Sequence, residues 1–159
     1  MSQKQTSYII FRSMIIVHLI LCLGIAVSTG VLYTLSIQSG KHLEPSDAFK
    51  ILELLLPIFG IGSFFGARLV INRRFKSIPQ NSPLNEKLEG YRASMIILWA
   101  MLAGTALFGA IGFFISGRQN LLLYGLMAAV FVLYFRPLKT KIAQDLNLEP
   151  DEVEELNQQ

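Results

Sequence analysis

Three ionisable residues stand inside long apolar stretches of the chain: His18, Glu53 and Arg68. A charged or titratable side chain in hydrocarbon costs a few kcal/mol by insertion scales, so these are the first places to look for activity. The His18 imidazole can titrate near neutral pH and lies about two helical turns beyond Arg12, at a depth where water is scarce. It could handle a proton or bond a neighbouring helix. A metal or haem role would need a second intramembrane histidine, and the other one, His42, falls in a polar loop. Glu53 follows Lys50 by one helical turn, which suggests an interfacial Lys50–Glu53 pair or a carboxylate reaching a cavity beside Pro57. Arg68 stands one turn from the end of its apolar run and can snorkel to the interface.

Soluble-type chemistry has no foothold in the sequence. There is no GxSxG, no Walker loop, no HExxH, no glycine-rich dinucleotide turn and no paired catalytic carboxylates on one face. Cys22 is the single cysteine, so disulfides within the chain, redox pairs and thiolate metal clusters are out of reach. The residues assign no catalytic group, no cofactor and no metal ligand.

The elements that position these residues are membrane helices. Of 159 residues, 52% are hydrophobic and 16% charged, where soluble chains carry about a quarter charged. The net charge of +3 comes from cations at the ends of apolar runs, and no continuous basic face is present to hold nucleic acid. The apolar runs predict four transmembrane helices near residues 8–36, 47–72, 93–116 and 120–136, the first retained as a signal anchor. Pro57 is expected to kink the second. Gly62 and Gly66 in the second, and Gly104 and Gly109 in an alanine-glycine stripe on the third, are expected to admit close helix packing. Residues 140–159 read as a soluble acidic tail ending in a short surface helix, with a similar short helix at 83–89.

Lys and Arg distribute unevenly. Lys4, Arg12, Arg73, Arg74, Lys76, Lys87, Arg92, Arg136, Lys139 and Lys141 fall on one side of such an arrangement, against Lys41, Lys50 and Arg118 on the other. The positive-inside rule then places both termini and the central basic segment in the cytoplasm of a multi-pass inner-membrane protein.

The two halves, 1–80 and 81–159, resemble one another. Phe11-Arg12-Ser13-Met14-Ile15-Ile16 matches Tyr91-Arg92-Ala93-Ser94-Met95-Ile96-Ile97 with one insertion, and Arg73–Gln80 matches Arg136–Gln144 with one insertion. Such a duplication predicts two tandem hairpins of like orientation about an axis along the membrane normal. Residues Ala100–Gly109 also resemble the ion-carrying helix of rotary ATPase proteolipid subunits. Ala103 stands where that family has its essential carboxylate, and the family's glycine-repeat partner helix is missing, so the resemblance carries no ion transport.

The resulting expectation is a non-enzymatic, all-α protein of the lipid bilayer. It would act through helix packing, as an accessory or assembly subunit of a membrane complex or as a homo-oligomer. A small ion or solute channel, with a polar pathway between the repeats, is the alternative.

Overall fold

The computed structural model describes residues 3–40, 47–77 and 82–157. Every element among them is helical: α1 Gln3–Ser39, α2 Asp47–Ser77, α3 Leu84–Ser116, α4 Gln119–Tyr134, α5 Lys139–Asp145 and α6 Pro150–Asn157. The loop 41–46 and residues 78–81, which include the end of the Arg73–Gln80 match, lie outside the described residues. Two helices, α1 and α3, are long and apolar enough to cross a membrane, and α4 with α5 makes a third candidate, bent by 85° at its break.

Helix limits follow local chemistry. Nothing in α1 breaks a helix until Gly40, which adopts φ +57 and returns its N–H to the Ser36 carbonyl. The left-handed Gly117, φ +69, ends α3 in the same way, its N–H on Phe113 O at 2.7 Å. A β-carbon is costly in that conformation, so glycine is the natural stop. Arg136 precedes Pro137, which disfavours a helical residue before it, and α4 ends there. Helix α2 runs unbroken through Pro57. The stretch 83–89 is not a separate surface helix: Leu84–Ser116 is one helix, because Gly90 alone does not stop a helix whose first turns have a surface to pack on.

Helix α3 is the centre. It packs against α1, α2 and α4, whereas contact between α1 and α2 is slight among the described residues. Burial reflects this: 56% of the apolar stretch of α3 is buried, against 11% of that of α1. The approach of α3 to α4 is close enough to involve backbone. A β-carbon on Gly109 would lie 2.6 Å from both Gly125 Cα and Leu121 O. The other glycines expected at helix contacts, Gly62, Gly66 and Gly104, have no atom within 4 Å of such a β-carbon, and Gly60 would meet Thr105 Cγ2 at 3.3 Å.

Helices α1 and α3 run parallel in a constant register. Arg92 Nη1 donates to Ser13 Oγ at 3.3 Å, 79 positions away. Further along, His18 meets the Trp99 ring edge-on at 5.0 Å and Tyr33 stacks on Phe113 at 5.8 Å, each within two residues of the same offset.

The C-terminal segment is held against the body of the molecule. Ile142, Leu146 and Leu156 are buried in one core with Leu84, Leu88 and Tyr91 from the start of α3. Lys87, its side chain only 3% exposed, donates to Glu152 Oε1 at 2.6 Å, and Tyr91 Oη donates to Asp145 Oδ2 at 3.3 Å. The residues 140–159 read as a soluble tail thus include two short helices, tied to the start of α3 by side chains, with α6 also packing on α1 and α5. Helix α6 is strongly amphipathic, with Leu156 buried, so it can cover the first turns of α3.

Candidate functional site

The polar cluster most enclosed by the helices forms where α4 runs out. The last carbonyls of any helix lack intrahelical partners. In α4 the Arg136 N–H turns to Leu133 O at 3.3 Å, which leaves Val132 O to another donor. His18, buried on α1, fills that role with Nε2 at 2.9 Å. Trp99, fully buried on α3, donates Nε1–H to Phe135 O at 2.9 Å. Two side chains from two helices thus cap a third, and the two rings pack on each other.

The bond to a carbonyl, which can only accept, places a proton on His18 Nε2. The tautomer then leaves Nδ1 as acceptor, with Cys22 Sγ 3.8 Å from it, one helical turn further on. The same sulfur is also 3.8 Å from Nε2, so it lies beside the ring and is not aimed at one nitrogen. Among the described residues, no group of three or more His, Cys, Asp or Glu could hold a metal ion.

Glu53 finds a different partner from the one its spacing suggested. Lys50 turns outward and pairs with Asp47 at 3.0 Å. The Glu53 carboxylate instead accepts from Arg118 Nη1 at 2.5 Å and from Asn120 Nδ2 at 3.5 Å, so it ties the start of α2 to the α3–α4 turn. The sequence separation of 65 residues hides this pair from local reasoning. Both side chains remain about a fifth to a quarter exposed (22% and 24%), so water screens the attraction. Glu53→Gln should therefore cost only about 1 kcal/mol of stability. The check is a denaturant titration followed by circular dichroism; a loss several times larger would mean that the pair is more deeply desolvated than described here.

Arg68 is exposed near the C-terminal end of α2. The three ionisable residues do not converge. His18 caps the end of α4 at Val132 whereas Glu53 contacts Asn120 at its start, a separation along the helix of about 18 Å at 1.5 Å per residue. Between these levels lies a cavity of about 310 Å³ bounded by α2, α3 and α4, lined by groups such as Leu56, Pro57, Phe64, Met127 and Phe131. Its Thr105 hydroxyl is engaged by Met101 O at 3.0 Å. Tyr124 also lines it, and an otherwise apolar pocket of this kind can hold a hydrocarbon chain.

Trp99 and Gly125 are the participants that the sequence reading left aside. Trp99 carried a signal, since it aligns with His18 in the two halves. Gly125 carried none, because a lone glycine in a short apolar run has no marked spacing. No known family model, characterised protein or solved structure matches the chain.

Proposed function

We propose that this chain is a four-span, non-enzymatic protein of the inner membrane, with both termini cytoplasmic. It acts through helix packing, as an accessory or assembly subunit of a membrane complex or as a homo-oligomer. The observation that carries this reading is the state of α1. Only 11% of its apolar stretch is covered, while Gly24 and Gly30 have open space where a side chain would sit. Small residues on a spanning helix let another helix approach closely. His18 and Glu53 point the same way, since each ties one helix to another and they do not share a pathway.

The internal duplication belongs to this reading. The sequence match between the two halves carries an offset of 80 or 81 residues at Arg12/Arg92 and Met14/Met95. The contacts between α1 and α3 follow nearly the same offset, which is what equivalent helices lining a pseudo-two-fold axis produce. The likeness weakens at the second helix of each half, since α4 packs closely on α3 whereas α2 also packs on α3 and barely meets α1. The face of α1 corresponding to the α4 contact is therefore the one left open for a partner.

The experiment is a mass measurement in mild detergent, by light scattering or native mass spectrometry, combined with disulfide cross-linking from Val31→Cys on the open face of α1. A defined oligomer or a stoichiometric partner, cross-linked through that position, is expected. A monomer with no co-purifying subunit overturns the proposal.

A further inference from the structure

The geometry points to a binding site for one anionic phospholipid in the groove where α5 turns away from the outer face of α4. This rests on the membrane reading of α4. Because α5 departs at 85°, a membrane-normal α4 puts α5 in the interfacial plane, at the depth of the headgroups.

The groove has a volume of about 670 Å³ and divides by chemistry. Val130 and Leu133 form its wall on α4; Arg136, Thr140, Lys141 and Gln144 form its polar side. Leading into it, Leu123, Leu126, Val130 and Leu133 make an exposed track at three- and four-residue spacing. Ten residues of helix rise about 15 Å, half of a hydrocarbon core about 30 Å thick, so the track matches the acyl region of one leaflet. A chain laid on it delivers its phosphate to the cations below.

Those cations are available. Among the described residues, the Arg136 guanidinium has no hydrogen bond or ion pair, and its fork suits the bidentate geometry of a phosphate. Lys141 is held in place over the rings of Tyr134 at 4.6 Å and Phe135 at 4.8 Å. Thr140 and Gln144 supply uncharged donors. Among the described residues no carboxylate lines the groove; Asp145, one turn after Lys141, interacts with Lys141 and Arg68 and accepts the Tyr91 hydroxyl. Two lining cations and no lining acid favour an anionic headgroup over a zwitterionic one, which brings its own cation. The apolar wall favours a lipid over free phosphate.

Native mass spectrometry of the full chain, titrated with phosphatidylglycerol or phosphatidylcholine, tests the site. Phosphatidylglycerol should bind first and about 25-fold tighter, at about fivefold for each of the two basic residues near the surface. Arg136→Gln with Lys141→Gln should bring it to the phosphatidylcholine level, while Arg73→Gln leaves the preference intact. In the unaltered protein, added sodium chloride should weaken the phosphatidylglycerol complex selectively, and millimolar inorganic phosphate should not displace it. Equal binding of the two lipids, a preference that survives the double substitution, or displacement by phosphate overturns the site. A chain found outside the membrane fraction would instead remove the reading on which it rests.

Discussion

Gly109→Ala should force α3 and α4 apart and cost about 3 kcal/mol, at the upper end of what overpacking a filled interior normally costs. The new methyl would lie 2.6 Å from Gly125 Cα, 2.6 Å from Leu121 O and 2.7 Å from Gly125 N. All three are backbone atoms of the facing helix, so no rotamer change relieves the clash and the helix itself must move. Gly125→Ala meets the same obstacle from the other side, with Ala106 O at 2.8 Å. Gly104→Ala is the matched control on α3, because nothing lies within 4 Å of its added carbon. Its expected effect is near zero or a small gain, as alanine is the better helix former by about 0.5–1 kcal/mol. The measurement is unfolding in mixed micelles of increasing sodium dodecyl sulfate content, followed by far-ultraviolet circular dichroism. If Gly109→Ala and Gly104→Ala unfold together, the close crossing of α3 and α4 is wrong.

Trp99→Ala should be the other severe lesion, with a loss of about 3 kcal/mol, the low end for truncating a buried tryptophan. Lipid is as apolar as the site, so little is recovered from the hydrophobic effect and the loss is mainly of packing and of one hydrogen bond. Trp99 is fully buried against His18, and its Nε1–H serves Phe135 O at the end of α4. Trp99→Phe separates the two contributions. It keeps most of the ring but leaves a buried carbonyl without its donor, at about 1–3 kcal/mol. The end of α4 should then fray, read as faster amide exchange at Tyr134–Arg136 than in the unaltered protein. Full protection in the phenylalanine variant would show that the indole is not the cap of α4.

Residue types and their order were enough to place the long apolar helices, though not the true start of α3 or the existence of α5. Apolar runs of membrane length, the left-handed glycines at 40 and 117 and Pro137 are local features, and their consequences are local: where a helix can persist and where it must stop. Also legible was the likeness of Phe11–Ile16 to Tyr91–Ile97, since it is a match of residue types in the chain itself. His18 stood out as a candidate because an imidazole in an apolar run is conspicuous without any structure.

What each polar residue touches was decided in three dimensions. Glu53 has Lys50 one turn away, yet its partner is Arg118, because the packing of α2 on α3 brings the α3–α4 turn over the start of α2. Lys87 read as one more cation at a helix end, and only the return of α6 buries it on Glu152. The glycines divide for the same reason. Gly62, Gly66, Gly104 and Gly109 are alike in sequence, but a glycine matters to packing only where another backbone crosses it, and α4 crosses α3 at Gly109. Spacing along a helix specifies which face a residue occupies; which helix lies on that face depends on the sum of all contacts, and no single segment contains it.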